Sequence, residues 1–344
     1  MAKAGVKYKL EPQDEFTHEP GAATNYNESM YFNVFDARQK MGGWFRIGNR
    51  PNERYAEMTV CIYLPDGRVA FTFARPEITD NKALNAGGLS VEVVEPFKRL
   101  DVRYSGKVLL LTQPHEMADP KVAFANNPRV PCKVDVQFTG VSPMYGGELV
   151  REDGTSFEID PEKSFAKAHY EQHCAAKGTF VVGDETFEIE GFGLRDKSWG
   201  PRHWQAIDWY RWCPMNFGPD FGMMLSVIGD GQGGARQGGM VFVDGGYDLI
   251  SKCKIDTDWD ANDYQTALRA EVETEAGRKY QVTGRVASLI PLRNRRTTPD
   301  GQQLQTRITE GMTEYRCGDR VGYGMSEYLD QINDGKASGR VAGF

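Results

Sequence analysis

The chain has 344 residues, more than the roughly 250 to 300 that a single hydrophobic core usually organises, so its length predicts two domains. Lysine and arginine number 41 against 48 aspartate and glutamate residues, and no basic block could follow a phosphate backbone, which argues against a nucleic-acid partner. No apolar segment has the length of a membrane span or follows the basic first residues as in a signal peptide, so we expect a cytoplasmic protein without a transmembrane segment.

The first half of the chain predicts a series of antiparallel strands, because short runs of alternating residues are separated by turn sequences. These runs lie at residues 30–35, 43–47, 56–63, 68–73, 89–94, 97–104, 107–111 and 133–139. The sequence Pro65-Asp66-Gly67 predicts a hairpin turn, and residues 119–125 predict a helix that ends before Pro128. About eight strands can close a barrel, so residues 1–150 are predicted to form an N-terminal β domain.

A second β-rich segment is predicted at residues 169–330. Residues 151–168 before it are expected to be a connector with a short helical turn, because this part is richer in Gly, Pro and charge. The strands of the second segment are predicted at residues 169–182, 186–195, 206–214, 221–228, 239–243, 248–256, 265–274, 279–288, 304–316 and 320–328. Residues 331–344 are expected to be a frayed tail. The whole pattern predicts an all-β protein with two antiparallel β-barrel domains.

Motifs for cofactors and metals are weak. The glycines of residues 229–234 have the spacing of a dinucleotide-binding motif. A strand and not a helix is predicted after them, so no helix N-terminus would be present to bind the pyrophosphate. We therefore favour a hairpin loop for this segment. His169, Glu171 and His173 alternate and could either bind a metal from one strand face or simply make that face polar. We expect no cofactor and no bound metal. Six cysteines without a Cys-x-x-Cys pair predict reduced thiols.

Four of the six tryptophans fall within residues 199–212. On a strand over residues 206–214, one face would carry Trp204, Asp208, Tyr210 and Trp212. An aspartic acid between indole rings would have a raised pKa and could protonate an alkene or an alcohol leaving group. The ring faces would then stabilise the carbocation.

An alternative interpretation is structural, because aromatic side chains like these can fill a barrel. Asp208 would then pair with Arg202 or Arg211. Asp196 has a cationic residue on each side in the sequence, which would keep its pKa low, so its expected role is to fix Arg202 or to cap a turn.

Five motifs spread over residues 25–330 are similar to those of a known family. They are Asn27-Glu28-Ser29-x-Tyr31-Phe32-Asn33, Gly43-x-Phe45-Arg46-Ile47-Gly48, His169-Tyr170-Glu171-Gln172, Gly193-x-Arg195-Asp196-x-Ser198-Trp199-Gly200-x-Arg202 and Gly324-x-Ser326-Glu327-Tyr328. The chain resembles the double-lipocalin family of AttH-like proteins and carotenoid hydratases (hydroxyneurosporene synthases), most closely an uncharacterised branch. Lys197 stands where the carotenoid hydratases carry a histidine, so we do not expect carotenoid hydration.

The resemblance implies two lipocalin-like barrels packed side by side and a hydrophobic ligand in the C-terminal barrel or at the domain junction. It also implies a cofactor-free acid/base enzyme, a hydratase, dehydratase or cyclase/isomerase, acting on an isoprenoid, steroid or similar lipid. The alternative is a non-catalytic carrier or sensor of a hydrophobic ligand. The candidate catalytic residues are Asp208, Asp196, Tyr210, His169 and Glu327. The candidate substrate-binding residues are Trp199, Trp204, Trp212, Arg202, Tyr328 and Tyr31.

Overall fold

The computed structural model describes residues 5–161, 163–229, 233–297 and 301–340. Contacts divide the chain into two compact units. The first unit contains Met1–Leu64, Ala70–Leu110 and Pro128–Ala206. The second unit contains Pro65–Val69, Leu111–Asn127 and Ile207–Phe344.

The first unit is built on one large antiparallel sheet. Its strands are β1 Val6–Lys9, β2 Tyr26–Asp36, β3 Met41–Arg50, β4 Tyr55–Tyr63, β5 Val69–Ala74, β6 Asn85–Ala86, β7 Leu89–Glu95, β8 Arg99–Leu111, β9 Arg129–Gly140, β10 Tyr145–Arg151, β11 Ala168–Val182 and β12 Glu185–Pro201. Eight of them close into a barrel in the order β11, β12, β2, β3, β4, β5, β8 and β9, because β9 pairs with both β8 and β11. Short 3₁₀ helices lie at Pro12–Glu15, Pro51–Glu53, Pro114–Ala118 and Trp204–Ala206.

Every second side chain of the strands faces the interior of the first barrel and forms its core, since successive side chains of a strand point to opposite faces. Even positions of β2 and odd positions of β3 face inward, and the barrel interior contains, among others, Phe32, Phe45, Val60, Phe138 and Phe180. Their burial removes a large apolar area from water and is the main stabilising contribution to this unit.

The second unit forms its own sheet. Its strands are β13 Trp209–Asn216, β14 Gly222–Gly229, β15 Ala235–Val243, β16 Gly246–Trp259, β17 Gln265–Thr274, β18 Lys279–Thr297, β19 Gln303–Cys317, β20 Arg320–Asn333 and β21 Lys336–Ala337. Each strand from β13 to β20 pairs with the next, and β13 also pairs with β20, so these strands close a second eight-stranded barrel. Its interior includes Cys213, Leu225, Val241, Ile255 and Tyr315.

The prediction of an all-β protein with two lipocalin-like barrels is confirmed. The predicted helix is also present, as α1 Pro120–Asn126, where the Asp119 side chain accepts a hydrogen bond from the Lys121 amide and caps the first turn. The boundary between the units differs from the sequence prediction. The sequence places residues 169–201 in the second domain, but β11 and β12 complete the first barrel by pairing with β9 and β2.

Other expectations concern local features. Strand β14 ends at Gly229 and β15 begins at Ala235, so a strand follows the glycine-rich segment as expected, while residues 230–232 lie outside the described residues. All six cysteines are free of disulfide bonds. Within the described part of the chain, no helix is long and apolar enough to cross a membrane.

Candidate functional site

One end of the first barrel has a charged interior. Two terminal nitrogens of Arg195 on β12 lie 2.7 and 2.8 Å from the Glu15 carboxylate, and the Lys197 amine lies 2.6 Å from Glu28 on β2. Both ion pairs are fully buried. Because neighbouring residues of a strand point to opposite faces, these two cations face away from Asp196, contrary to the expectation from the sequence. Each cation is neutralised inside the barrel instead.

The opposite side of the same strands carries two rows of mainly polar residues, since directly paired residues of adjacent strands point to the same face. Crossing β11, β12, β2, β3 and β4, the first row consists of Glu171, Asp196, Tyr31, Arg46 and Thr59. The second row consists of His169, Ser198, Ser29, Gly48 and Glu57. We call these ten residues the polar face.

His169 is flanked by two carboxylates on the polar face. Its Nε2 atom lies 3.7 Å from Asp196 Oδ2 and 3.8 Å from Glu171 Oε1, distances of ion pairs rather than of good hydrogen bonds. The Glu171 side chain is 1% exposed, that of Asp196 22% and that of His169 48%. Desolvation would lower the pKa of His169, but the adjacent Asp196 and Glu171 carboxylates outweigh it and raise the pKa above its ordinary value. The imidazole is therefore both reachable and biased toward its protonated form.

Aromatic side chains border this acid/base group. Tyr31 pairs directly across the strands with Asp196, and its ring stacks on Trp44 at a centroid distance of 5.9 Å. The Tyr31 hydroxyl accepts a hydrogen bond from Asn33 at 3.4 Å, and the Trp44 indole donates to the Tyr63 hydroxyl at 3.2 Å. The structure thus brings Tyr31, Asp196 and His169, three of the predicted site residues, onto one face.

Arg202 and Trp204 lie at the edge of the polar face. Arg202 donates a hydrogen bond to the Ser198 hydroxyl at 2.7 Å, and its guanidinium lies over the rings of Phe165 at 4.2 Å and Trp204 at 5.2 Å. The Arg46 guanidinium lies 5.7 Å from the centre of the Trp204 ring. Cation–π contacts with two arginines therefore hold this indole.

Trp199 occupies a different environment. It is buried in the interior of the first barrel beside Tyr170, and its ring stacks on His18 at 4.2 Å. The Lys197 amine lies 4.7 Å from its centroid. Trp199 faces the charged interior and not the polar face, so the structure does not place it with His169 and Asp196.

A second acid/base pair lies in the second unit. The Tyr210 hydroxyl donates a hydrogen bond to the Glu327 carboxylate. Glu327 is paired across the strands with Trp212 on β13 and with Glu310 on β19, so these side chains share one face. Two carboxylates and a phenol are therefore neighbours on the outer side of this barrel.

Tyr328, by contrast, lies inside the second barrel. Its hydroxyl is 2.8 Å from the Thr257 hydroxyl, and the Arg211 guanidinium lies 4.4 Å from its ring centre. Burial raises the Tyr328 pKa well above its ordinary value, so the phenol stays protonated. Arg211 itself pairs with Asp330 at 3.0 Å.

The prediction that Trp204, Asp208, Tyr210 and Trp212 share one strand face is wrong. A 3₁₀ turn holds Trp204 in the first unit, and β13 begins only at Trp209, so the required period of two is interrupted. Asp208 precedes the strand, where its backbone carbonyl accepts a hydrogen bond from the Ser338 hydroxyl at 2.7 Å. Its proposed partner Arg211 pairs with Asp330.

The metal hypothesis for the alternating residues of β11 is not supported by the geometry. His169 and Glu171 approach each other, whereas His173 is buried and its backbone amide donates to the Ser142 hydroxyl at 3.1 Å. Across residues 5–161, 163–229, 233–297 and 301–340, no three His, Cys, Asp or Glu side chains are arranged to hold a metal ion.

Comparison with known proteins assigns the family. A family model described as a domain of unknown function (DUF7064) matches residues 11–332. The chain belongs to this family. No curated protein matches the sequence of this DUF7064 chain significantly.

Solved structures share the fold of the DUF7064 chain at low sequence identity. An AttH candidate from Nitrosomonas europaea is 13% identical over 98% of this chain and 99% of that chain, with a TM-score of 0.58. Kievitone hydratase from Nectria haematococca is 8% identical over 94% and 93%, with a TM-score of 0.54. CghA is 10% identical over 98% and 99%, with a TM-score of 0.51. The resemblance drawn from the motifs is therefore confirmed as a likeness of fold.

Several residues of the polar face of the DUF7064 chain were not among the predicted site residues. These are Glu171, Arg46, Thr59, Ser198, Ser29, Gly48 and Glu57. In β2 the sequence itself separates the two faces, because polar residues occupy the odd positions 27–33 and apolar residues the even positions 30–34. In β12 the alternation of polar and apolar residues does not separate the faces, because the inward residues Arg195 and Lys197 are charged as well.

Proposed function

We propose that the protein is an acid/base enzyme of the hydratase, dehydratase or cyclase/isomerase type that acts on a small hydrophobic molecule, such as an isoprenoid or steroid. The observation that carries the proposal is the imidazole of His169 between the carboxylates of Asp196 and Glu171, half exposed and with a raised pKa. Such a group can donate a proton, and its raised pKa favours the protonated form of the donor. The fold shared with kievitone hydratase supports the same class of reaction.

The chemistry would begin with protonation of the substrate by His169. The imidazolium N–H bond breaks and its proton forms a C–H bond with an alkene carbon, or protonates a hydroxyl that leaves as water. Asp196 and Glu171 stabilise the imidazolium before transfer. The electron-rich rings of Tyr31 and Trp44 stabilise the cation that forms. Addition of water, attack by a second double bond or loss of a proton then completes hydration, cyclisation or isomerisation, and a proton returns to His169.

The Tyr210 and Glu327 pair supplies a second acid/base candidate in the second unit. A carboxylate that accepts a phenolic hydrogen bond can act as a base, so Glu327 is the candidate base of this second pair. Asp208, the donor predicted from the sequence, is kept as a further candidate for the proton donor.

A carrier or sensor of a hydrophobic ligand is the second candidate function. The aromatic side chains of Tyr31 and Trp44 would serve it equally well, but binding an apolar ligand needs no proton donor. The imidazole of His169 between the carboxylates of Asp196 and Glu171 supplies such a donor and therefore favours an enzyme.

The test begins with mass spectrometry of the lipids extracted from freshly purified protein. Compounds of the class found, as alkenes and as alcohols, are then incubated with the protein in D₂O or in H₂¹⁸O. Protonation of carbon places one deuterium in the product, and hydration adds one ¹⁸O. We expect His169→Gln to lower kcat by about 10² to 10⁴-fold, the usual contribution of a general acid.

Matched controls separate this role from general damage. His115→Gln changes an exposed histidine of the second unit and should leave kcat unchanged. Asp208→Asn tests the donor predicted from the sequence. Full turnover by His169→Gln together with loss of turnover in Asp208→Asn would overturn the assignment of His169 as the proton donor. If the wild type and all variants retain a lipid but none of them converts it, the carrier function is favoured.

A further inference from the structure

Arg202 lies at the edge of the polar face, and its positive charge is enclosed by protein groups. The residue is 7% exposed, and its Nη2 atom donates a hydrogen bond to the Ser198 hydroxyl at 2.7 Å. The guanidinium also lies over the rings of Phe165 and Trp204, at 4.2 and 5.2 Å from their centres. A planar guanidinium that is hydrogen-bonded and stacked in this way keeps one position, and its charge therefore does so as well.

Ser198 brings this charge close to the proposed proton donor. Ser198 on β12 and His169 on β11 are directly paired, so their side chains share one face and their Cβ atoms are about 5 Å apart. A cation held by the Ser198 hydroxyl is therefore a near neighbour of the imidazole. Desolvation and the charge of Arg202 both lower the pKa of His169, whereas the Asp196 and Glu171 carboxylates raise it. Arg202 thus acts against the two carboxylates.

The balance of charge around His169 changes when the imidazolium loses its proton. The two carboxylates contribute two negative charges, and the imidazolium and the Arg202 guanidinium contribute two positive ones. On the other side of β11, strand β10 places Gly147 opposite His169 and the Tyr145 phenol in the next row. Release of the proton leaves the four charged groups with one net negative charge, and without Arg202 it would leave two. Since like charges repel, Arg202 makes that release more favourable.

A general acid must give up its proton as well as carry it. Two carboxylates alone would hold the proton on His169, since each of them favours the imidazolium. We propose that Arg202 is a positioning residue that holds a positive charge against the two carboxylates, so that the His169 imidazolium can pass its proton to the substrate. The catalytic use of this charge rests on the proposed function, whereas the electrostatic coupling of Arg202 to His169 rests on the Ser198 contact and on the pairing of β11 with β12.

The experiment follows the Hε1 and Cε1 NMR signals of His169 in the full chain as a function of pH. The variant His169→Gln identifies these signals among those of the five histidines. Arg202→Gln removes the charge but keeps an N–H donor for Ser198, so the titration midpoint of His169 should move to higher pH. A unit charge within about 8 Å changes the ratio of protonated to neutral imidazole about 2-fold even at the dielectric constant of water, and we expect at least that increase at the wild-type midpoint. Arg202→Lys keeps the charge and should return the midpoint toward that of the wild type.

Arg46→Gln is the matched control. The Arg46 guanidinium also lies over Trp204, at 5.7 Å, but Arg46 is on β3, three strands from His169 and therefore roughly 14 Å away. Its removal should leave the His169 midpoint unchanged, because exposed charges at this distance are largely screened. Ser198→Ala provides a second variant should Arg202→Gln fail to fold, which a thermal melt would reveal. It keeps the charge but removes the hydroxyl that holds it, so the midpoint should rise by less than in Arg202→Gln.

The midpoint is measured without substrate, so the coupling and the proposed function can fail separately. An unchanged or lower midpoint in a folded Arg202→Gln variant, or an equal rise in Arg202→Lys or Arg46→Gln, would overturn the inference. If Arg202→Gln does not fold, an unchanged midpoint in Ser198→Ala would do so. Once a substrate is known, Arg202→Gln should lower kcat and move the decline of turnover to higher pH, and Arg202→Lys should restore both. A kcat that Arg202→Gln leaves unchanged would overturn the catalytic use of the charge.

Discussion

Glu15→Ala should strongly destabilise the first barrel. The Glu15 carboxylate has no exposed surface and accepts hydrogen bonds from Arg195 at 2.7 and 2.8 Å, from the Tyr170 hydroxyl at 2.6 Å and from the Phe97 amide at 2.8 Å. Truncation leaves the Arg195 guanidinium buried without its carboxylate. Removing one partner of a buried ion pair costs about 3 to 5 kcal/mol, and we expect the free energy of unfolding to fall by that amount.

The effect should depend on pH in a defined direction. Burial would raise the pKa of Glu15, but the charge and hydrogen bonds of Arg195, with those of Tyr170 and Phe97, outweigh it and hold the pKa below its ordinary value of 4.5. A depressed folded-state pKa means that the stabilisation is fully present above the ordinary value and is lost as the pH falls through the folded-state pKa. The difference in stability between the wild type and Glu15→Ala should therefore shrink below about pH 4.5.

Urea unfolding followed by far-UV circular dichroism and tryptophan fluorescence measures both effects. The control is Glu77→Ala, which removes an exposed partner of Arg54 at 3.2 Å and should cost no more than about 1 kcal/mol. The double variant Glu15→Leu with Arg195→Met should lose less stability than the two single changes together, because no unpaired charge remains. A loss below about 1 kcal/mol for Glu15→Ala at pH 7 would refute the reasoning, as would an equal loss at pH 7 and at pH 4.

The acid/base groups and the buried ion pair of the second barrel can be tested in the same way. Turnover should decline as the pH rises through the raised pKa of His169. Asp196→Asn removes one of the two carboxylates beside His169 and should move that decline to lower pH. A pH profile of turnover that Asp196→Asn leaves unchanged would argue against the interaction of Asp196 with His169. Asp330→Ala should lower the free energy of unfolding by about 3 to 5 kcal/mol, since it leaves Arg211 charged inside the second barrel, and chemical denaturation would show a much smaller loss if the pair were unimportant. Tyr210→Phe should reduce kcat with little change in the melting temperature, because the half-buried ring keeps its packing while the hydrogen bond to Glu327 is lost.

The sequence alone predicts much of the fold. Alternating runs and turn residues depend on neighbours a few positions apart, and such local patterns predicted the helix α1 and the strands that close both barrels, although the runs at 97–104 and 107–111 form the single strand β8. The division between the units depends on distant segments. Strand β12 pairs with β2, which lies more than 150 residues earlier in the chain, and no local composition records that pairing.

The candidate site shows the same contrast at the level of single residues. The sequence singled out Tyr31, His169 and Asp196 individually, but only the register of β11, β12 and β2 places them in adjacent rows on one face. It also led to the wrong partner for Asp196, because sequence neighbours such as Arg195 point to the other side of a strand. Charges near in sequence are thus separated by the sheet, and charges far apart are brought together.

The tryptophan-rich segment shows which properties the sequence determines and which depend on the tertiary structure. Composition by itself determined that residues 199–212 are unusually aromatic and belong to a β-rich protein. The tertiary structure decided that this segment contributes Trp199 to the interior of one barrel, Trp204 to a turn and Trp212 to a strand of the other unit. The physical reason is that residue type sets what a side chain can do, whereas strand phase and long-range pairing set which groups it meets.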